Sequence, residues 1–174
     1  MDIIKKVFKD WILPILAAII IAFIINKVIF FNVSVPTGSM LPTIKLDDKI
    51  LVTRVHNKKN LKQGDIVVFH SDELNEDLIK RLIGLPNDEV EIRDDGSLYI
   101  NKVKIDESYV VAANRGGKAG LKFKVPEGSY FFMGDNRKNS LDARYWAIPF
   151  IQEKDIMGKA RIRISPFSTF GKLK

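Results

Sequence analysis

Cysteine is absent from the 174 residues of this chain, and histidine occurs only twice, as His56 and His70. The absence of cysteine excludes disulfide bonds, a thiol nucleophile and metal sites built on thiolates. Neither histidine stands at metal-ligand spacing from another histidine or from a pair of carboxylates, so the sequence predicts no metal site. A triad of serine, histidine and aspartate stays open through His70, although no neighbouring motif supports it.

Long runs of one charge are also missing, although the chain carries a net charge of +7 and has a pI of about 9.5. Its lysines and arginines are scattered and no nucleic-acid-binding motif is present, so we expect no nucleic acid as a partner. Basic residues also attract a protein to anionic phospholipid. This second use fits a chain that begins with an apolar stretch, and we expect the lipid bilayer as a partner.

The apolar stretch runs from Trp11 to Phe31 and is interrupted only by Asn26 and Lys27. As a helix with a rise of about 1.5 Å per residue, it would extend roughly 31 Å, close to the hydrocarbon thickness of a bilayer. A cleaved signal peptide is one alternative, but the stretch is long and no clear A-x-A site follows it. A buried core helix is another, but the stretch is apolar on every side. We favour an uncleaved membrane anchor.

Three lysines precede this stretch, namely Lys5, Lys6 and Lys9. Basic residues next to a membrane span favour the cytoplasmic side. The sequence therefore predicts a single-pass protein of a cell membrane, in which residues 1–10 are cytoplasmic, residues 11–31 form the transmembrane anchor and residues 32–174 form an extracytoplasmic domain.

The rest of the chain shows short β-rich runs that are separated by turn residues, without a long segment of helical periodicity. The predicted strands are Lys49–Arg54, Asp65–His70, Leu78–Ile83, Val90–Arg93, Ser97–Ile100, Val103–Ile105, Lys122–Val125, Ser129–Met133 and Ile156–Ile164. Asp94–Gly96 and Asn101–Lys102 supply hairpin turns, and Ala112–Gly120 indicates a flexible surface loop. The pattern predicts an all-β domain of antiparallel sheets that form a partly open, barrel-like structure.

Ser39 stands in a segment that is built to hold a side chain in a preset position. Pro36 and Pro42 restrict the backbone on either side, and Gly38 permits a sharp turn directly before the serine. A hydroxyl in such a turn is a candidate nucleophile. An ordinary polar turn gives the same local pattern, so this segment alone does not decide between the two.

Lys80 is the second unusual residue, because a strand places it on one face with Leu78 and Leu82. An amine on an apolar face is desolvated, which lowers its pKa from about 10.4 and allows it to accept a proton near neutral pH. A lysine on a solvated edge strand is the simpler alternative. The polar loop Gly134–Arg144 follows the apolar run Tyr130–Met133. Its charged residues could form ion pairs that support a site, or the loop could be a solvated turn with weak surface ion pairs.

Four motifs in this order resemble those of the type I signal peptidases, in the compact form common in Gram-positive bacteria. The serine motif, T-G-S-M-L-P-T, occupies Thr37–Thr43, and G-D-I-V-V-F occupies Gly64–Phe69. The lysine motif, K-R-L-I-G-L-P-N-D, occupies Lys80–Asp88, and G-D-N-R-K-N-S-L-D-A-R occupies Gly134–Arg144. The resemblance covers the chain from Val35 to about Arg163.

The resemblance implies a membrane-bound serine endopeptidase with an all-β catalytic domain, in which Ser39 is the nucleophile and Lys80 is the general base. It implies an oxyanion hole made by the Ser39 backbone N–H and the Thr37 hydroxyl, and a Ser140 hydroxyl that orients the lysine amine. The residues that it implies as structural support are Met40, Arg81, Asp135, Asp142 and Arg144, paired as Asp135 with Arg81 and Asp142 with Arg144. We expect no metal and no cofactor.

Three positions depart from the family's pattern. Thr37 stands where the family usually has serine, which keeps the hydroxyl but restricts its rotamers. Ala143 replaces a serine and loses one hydroxyl near the site. Asn87 replaces a glycine in the turn after the lysine motif, and we expect the turn to survive because asparagine tolerates positive φ.

The implied substrates are the signal peptides of secreted preproteins, cut after small residues at positions −1 and −3, and the implied working partner is the secretion translocon. Two other functions remain open on the residues alone. A self-cleaving repressor-type protease uses a similar serine–lysine core, but the apolar N-terminal stretch argues against it. A membrane-tethered binding module would not need Ser39 and Lys80, and both are present.

Overall fold

A computed structural model of the chain describes residues 6–173, apart from the side chains of Asn26 and Lys27. The chain divides into two compact units with the boundary between Phe31 and Asn32. Lys5, one of the three lysines that we expect on the cytoplasmic side, lies outside the described residues.

The first unit is helical. A π-helical turn at Phe8–Ile12 continues into helix α1, Leu13–Val28, and Pro14 lies in the first turn of α1, where its missing N–H breaks no helical hydrogen bond. The window Phe8–Ile25 has a mean hydropathy of 2.2 and its side chains are unburied. This helix is long and apolar enough to cross a bilayer.

Helix α1 ends three residues before the predicted end of the apolar stretch. Val28 is its last residue, and strand β1, Phe30–Ser34, begins directly afterwards. Asn32 and Ser34 are exposed and Val33 between them is half-buried. This alternation has the period of a strand, and phenylalanine and valine favour extended backbone. The expectation that Phe30 and Phe31 continue the helix was therefore wrong.

The second unit is built from strands. After β1, the chain forms β2 Lys49–Arg54, β3 Ile66–Ser71, β4 Glu76–Gly84, β5 Glu89–Ile92, β6 Leu98–Ile100, β7 Val103–Lys104, β8 Leu121–Lys124, β9 Ser129–Met133, β10 Phe150–Gln152, β11 Ile156–Ser165 and β12 Gly171–Lys172. The larger sheet has the order β1-β2-β11-β3-β4-β9-β10, with β12 paired to β11, and the smaller sheet has the order β7-β6-β5-β8. Within residues 6–173 neither sheet closes into a barrel, and the predicted all-β class with open antiparallel sheets is confirmed.

One hydrophobic core joins the two sheets. Phe69 of β3 and Phe132 of β9 are fully buried and stack with their ring centroids 4.3 Å apart. Val90 and Ile92 of β5 belong to the same buried cluster from the smaller sheet. Burial of aromatic rings supplies much of the stabilisation of such a core, and it fixes β3, β4 and β9 as the platform of the site described below.

The loop Ala112–Gly120 lies at the surface, as predicted, and makes hydrogen bonds to Arg144 and Tyr145. It begins with a 3-10 turn at Ala112–Asn114. The Gly116 carbonyl accepts a hydrogen bond from Arg144 Nη1 at 3.1 Å, and the Lys118 N–H donates to Tyr145 Oη at 2.9 Å. Gly117 allows a close approach to Arg144, because a Cβ there would lie 2.5 Å from Arg144 Nη1.

Asn87 adopts positive φ, +70°, in the turn between β4 and β5, as the sequence predicted. Its N–H donates to the Val125 carbonyl at 3.0 Å, so the turn is also tied to the strand region around β8. Left-handed backbone costs most L-residues about 1–2 kcal/mol, less for asparagine and nothing for glycine.

We expect Asn87→Ala to lower the free energy of unfolding by about 1 kcal/mol, because alanine pays the cost of positive φ. Asn87→Gly should leave that free energy unchanged or raise it slightly. Thermal unfolding of both variants in detergent measures the difference. Equal melting temperatures for the two variants would contradict the assigned conformation of this turn.

Candidate active site

Ser39 lies in the turn segment between β1 and β2. Buried side chains and a backbone hydrogen bond hold this segment in place. Met40 and Ile44 are fully buried, and the Asp47 N–H donates to the Val35 carbonyl at 2.8 Å. The φ of Gly38 lies outside the left-handed region, so this glycine does not serve the turn in the way the sequence suggested. Its lack of a side chain matters because a Cβ there would lie 3.0 Å from the Leu41 side chain.

Lys80 lies in the buried half of β4, where it pairs in register with Val67 of β3 and is only 3% exposed. Its Nζ lies 2.6 Å from Ser39 Oγ, which is a short hydrogen bond. The two residues are 41 positions apart in the chain, so the sheet, and not local sequence, brings them together. Ser39 itself is 7% exposed.

Burial lowers the pKa of Lys80 to about 8, because the charged ammonium loses its hydration inside the domain. The negative charges of Asp142, Glu76 and Asp135 act in the opposite direction and raise this pKa. Desolvation is the larger effect. Near pH 8 about half of the amine is therefore neutral and able to accept a proton.

Two further hydroxyls lie in this region. Thr37 Oγ1 is 3.3 Å from Ser39 Oγ. Ser140 Oγ is buried, and in the part of the chain that the structure describes it has no hydrogen-bond partner, the Lys80 amine included. The structure therefore places Thr37 beside Ser39 but shows no hydrogen bond that links Ser140 to Lys80.

Arg81 and Asp135 form a buried bidentate ion pair, with Nε–Oδ1 at 2.8 Å and Nη2–Oδ2 at 2.7 Å. Arg81 Nη1 donates to the Gly64 carbonyl at 2.8 Å, and Thr43 Oγ1 donates to Asp135 Oδ2 at 2.5 Å. Arg81 follows Lys80 directly on β4. This pair consequently ties the strand of the lysine to both the polar loop and the segment of the serine.

Asp142 and Arg144 form a second buried pair, with Nε–Oδ1 at 2.8 Å and Nη2–Oδ2 at 2.9 Å. Asp142 Oδ2 also accepts the Gly134 N–H at 3.0 Å, and Arg144 Nη2 donates to the Arg137 carbonyl at 2.7 Å. The loop from residue 134 to residue 144 is thus closed on itself. Ala143, the departure from the family's pattern, is 1% exposed within it.

Asn136 was missed by the sequence analysis, although it lies inside the loop motif. Its N–H donates to the Ser39 carbonyl and its Nδ2 to the Gly38 carbonyl, both at 3.0 Å. Gly134 completes this contact, since a Cβ there would lie 2.5 Å from the Ser39 carbonyl oxygen. The motif marked the loop as important, but nothing in the sequence shows which of its polar residues reaches the serine.

Glu107 and Tyr109 were also missed, and no sequence signal indicates them. Glu107 forms a buried ion pair with Arg137, at 2.9 Å between Oε2 and Nη1. The guanidinium of Arg81 lies over the Tyr109 ring, 3.9 Å from its centroid. Glu107 and Tyr109 both lie in the segment before β8, and they contact Arg137 and Arg81, respectively.

His70, which stayed open as a catalytic histidine, is engaged elsewhere. Its Nδ1 lies 2.9 Å from Asp77 Oδ1, and its side chain is 39% exposed. The hydrogen bond with Asp77 raises the pKa of His70. The basic side chain that contacts Ser39 Oγ is that of Lys80 and not that of this histidine.

A cleft of about 470 Å³ opens over Ser39 and Lys80. Leucine side chains from β4, the preceding turn and the polar loop give it apolar walls. The lining residues are Thr37, Gly38, Ser39, Leu74, Glu76, Leu78, Lys80, Asn136, Asn139 and Leu141. An apolar cleft with a few convergent polar groups is the usual form of a substrate site.

The domain combines a buried serine–lysine contact with an apolar cleft directly above it. This combination is typical of a serine hydrolase. The chain belongs to the family described as signal peptidase, peptidase S26, whose model matches residues 8–165. It is therefore a serine protease that removes signal peptides from preproteins.

Two relatives agree with this assignment. Signal peptidase I of Bacillus licheniformis is 37% identical over 177 residues, which covers 97% of this chain and 94% of the relative. Signal peptidase IB of Staphylococcus aureus (strain COL) is 37% identical over 183 residues, which covers 95% of this chain and 94% of the relative. A crystal structure of a signal peptidase I from Enterococcus faecalis V583 is 36% identical, with a TM-score of 0.49, and the match covers 57% of this chain and 96% of that one.

The depressed pKa of Lys80 has a consequence for stability. Below about pH 8 the amine is charged both in the folded and in the unfolded chain, so folding carries the full cost of burying the charge. That cost, about 3 kcal/mol at 1.36 kcal/mol per pKa unit, disappears as pH rises from about 8 to 10.5, because only the unfolded chain then holds the proton.

We therefore expect Lys80→Met to raise the free energy of unfolding by up to about 3 kcal/mol near pH 6, and by much less near pH 10.5. Thermal unfolding of the chain in detergent at both pH values measures the change. Lys138→Met, which removes a charge from an exposed residue of the polar loop, controls for the change in net charge. A gain that does not depend on pH would contradict the buried charge as its source.

Proposed function

We propose that this signal peptidase cleaves preproteins after small residues at positions −1 and −3, through attack by Ser39 on the scissile carbonyl with the neutral amine of Lys80 as general base. The observation that carries the proposal is the 2.6 Å contact between Lys80 Nζ and Ser39 Oγ in a buried setting. A serine hydroxyl is a weak nucleophile unless a base within hydrogen-bond distance takes its proton.

Lys80 takes part in both halves of the reaction. Its neutral amine accepts the Ser39 proton while Oγ forms a bond to the carbonyl carbon. The resulting ammonium then gives that proton to the amine that leaves with the mature protein, and an ester on Ser39 remains. Water hydrolyses this ester through the same base. A pKa of about 8 suits the exchange, because each protonation state is accessible near neutral pH.

The Ser39 N–H and the Thr37 hydroxyl form the proposed oxyanion hole. Within residues 6–173 the Ser39 N–H donates to no other protein group, and Thr37 Oγ1 lies 3.3 Å from the nucleophilic oxygen. Donors set in advance around a developing oxyanion stabilise the transition state by about 3–4 kcal/mol each. Both groups lie on the turn that Asn136 and Met40 hold in place.

Ser140 is proposed to orient the Lys80 amine. Its buried Oγ lacks a partner in the described part of the chain, and a buried hydroxyl is normally satisfied. The buried pairs Asp135–Arg81 and Asp142–Arg144 are proposed to hold the polar loop and the strand of Lys80 in position. Removal of one member of such a pair leaves an uncompensated buried charge, which costs about 3–5 kcal/mol.

The free edge of β4 supports positions −1 and −3 as the two that the cleft recognises. Residues Glu76–Arg81 pair with β3, whereas β9 pairs only from Arg81 to Gly84. In the described chain, the β4 edge from Glu76 to Lys80 is thus open to an added strand that would run through the cleft. In an extended peptide, residues −1 and −3 point to the same face, so both meet the apolar wall around Leu78 while residue −2 points away.

Full-length chain in detergent, given a preprotein with an A-x-A site, tests this mechanism. We expect one cut after the second alanine, and a loss of at least about 10³-fold in kcat/KM for Ser39→Ala and for Lys80→Met, because each removes one half of a cooperating pair. In the wild type, kcat/KM should rise about tenfold per pH unit below the Lys80 pKa of about 8 and level off above it.

Lys138→Met, with an equal change in charge on the surface of the polar loop, serves as the control and should cleave normally. Cleavage by Lys80→Met at the wild-type rate would show that another residue, such as His70, acts as the base. An inert wild-type chain would contradict the proposed specificity.

The membrane arrangement is part of the same proposal. We propose that residues 11–31 anchor the chain in a bacterial cell membrane, with residues 1–10 cytoplasmic and residues 32–174 outside, beside the secretion translocon that delivers the substrates. Helix α1 supports the anchor. Lys6 and Lys9 lie before it, which favours a cytoplasmic N-terminus.

Contact of the catalytic unit with anionic phospholipid is supported by an exposed apolar patch near the C-terminus. Phe167 is 88% exposed and Phe170 is 61% exposed. The basic residues Arg161 and Lys172 are exposed on the adjoining strands β11 and β12. Aromatic rings that are surrounded by positive charge bind at the interface of anionic membranes.

Because the chain has no cysteine, a single spin label can test this contact. A label on Phe167→Cys in anionic vesicles should be accessible to oxygen dissolved in lipid and shielded from a water-soluble relaxation agent. A label on Val103→Cys, an apolar residue that is 64% exposed on β7, is the matched control and should face water. Equal accessibility of the two labels would exclude a specific lipid contact at Phe167.

A further inference from the structure

Among residues 6–173, one carboxylate lines the cleft together with the serine and the lysine. Glu76 precedes Lys80 by four residues on β4, so the side chains of Glu76, Leu78 and Lys80 share one face of the strand. All three line the cleft over Ser39. Glu76 is exposed, so its charge meets whatever occupies the cleft.

The neighbouring carboxylates are already engaged. Asp77 lies 2.9 Å from the His70 ring, and Glu73 accepts the N–H groups of Ala147 and Ile148, each at 3.0 Å. Glu76 differs from them, because within residues 6–173 its carboxylate has no ion-pair or hydrogen-bond partner. Its negative charge is therefore available to a bound peptide.

Glu76 belongs to an acidic segment of a chain that is basic as a whole. The protein carries a net charge of +7, yet the turn between β3 and β4 and the start of β4 are acidic. The acidic residues there are Asp72, Glu73, Glu76 and Asp77. The field of Glu76 also extends along the cleft, since it raises the pKa of Lys80 against the effect of burial.

We propose that Glu76 is a specificity-determining residue that favours preproteins with a lysine or arginine at position −5, four residues before the residue at −1 that lies opposite Lys80. This rests on the proposed function, in which an extended substrate pairs with the free edge of β4. Paired strands advance together at about 3.3 Å per residue, so the substrate residue opposite Glu76 lies about 13 Å along the strand from the one opposite Lys80. A basic side chain at that place reaches the carboxylate.

The size of the preference follows from the exposure of Glu76. Pairs of opposite charge at exposed sites are weak, and we expect kcat/KM to be about threefold higher for a lysine peptide than for the matching glutamine peptide. A glutamate peptide, which is repelled, should be about tenfold worse than the lysine peptide. Both ratios should shrink at high salt, because mobile ions screen exposed charges.

The experiment uses the full-length chain in detergent and a family of A-x-A peptides. Lysine, glutamine or glutamate is placed in turn at each of the five positions before and after the scissile bond. The measured quantity is the ratio of kcat/KM for lysine and glutamine peptides within one enzyme variant, so the fraction of active enzyme cancels. In the wild type we expect position −5, four residues before position −1, to prefer lysine.

Three variants then separate Glu76 from the general acidity of the turn. Glu76→Gln should abolish the preference at that position, and Glu76→Lys should reverse it in favour of glutamate. Asp77→Asn is the matched control, because it removes a carboxylate from the adjacent residue on the opposite face of β4, and it should retain the preference.

An unchanged lysine preference in Glu76→Gln, or an equal loss in Asp77→Asn, would overturn the inference. Normal cleavage of the glutamine peptides without any preference for lysine in the wild type would overturn it alone and leave the proposed mechanism standing. Failure of the wild type to cut any peptide of the family would overturn the proposed function and this inference together.

Discussion

The desolvated amine of Lys80 is the feature on which the rest of the catalytic unit depends. An ammonium group in water keeps its proton at neutral pH, so the proposed role of Lys80 as a base requires that the protein remove the amine from water. Its 3% exposure achieves this and lowers its pKa to about 8, at a cost in folding free energy. The aromatic core under β3, β4 and β9 offsets that cost and holds the strand on which Lys80 lies. Stability and reactivity are thus opposed at one residue.

Three buried arginine–carboxylate pairs brace the loop after β9 and the strand of Lys80 in the described part of the chain. Arg81–Asp135, Arg144–Asp142 and Arg137–Glu107 are all buried, and each arginine also donates to a backbone carbonyl. Because the arginines balance these carboxylates, a buried anion near Lys80 does not restore the full charge of the ammonium. Arg81–Asp135 connects the loop from residue 134 to residue 144 with the strand of Lys80 and, through Thr43, with the segment of Ser39. A proposed base and nucleophile need such rigid support to stay in a productive geometry.

The cleft joins this buried pair to the outside of the domain. Its leucine walls and the unpaired edge of β4 suit an extended peptide, and the carboxylate of Glu76 adds a charged position at the far end of the same strand face. In the proposed binding mode, substrate shape and substrate charge are recognised by one strand, at positions that differ by multiples of two residues. Glu73 and Asp77 are held by other partners, which leaves Glu76 as the carboxylate of this segment that lines the cleft.

Local patterns in the sequence determined much of this protein: the apolar helix, the strands β2 and β9 with their exact bounds, the positive φ of Asn87, and the position of Lys80 on an apolar strand face. These follow from hydrophobic periodicity and backbone preference, which act over a few residues. The sequence motifs also pointed to Ser39 and to the loop after β9. Only the tertiary structure decided that α1 ends at Val28, that the glycine-rich loop is held against Arg144, and that Asn136, Glu107 and Tyr109 brace the site. The Ser39–Lys80 contact spans 41 residues and the Glu107–Arg137 pair spans 30, and such contacts depend on sheet register and core packing, which no local pattern encodes.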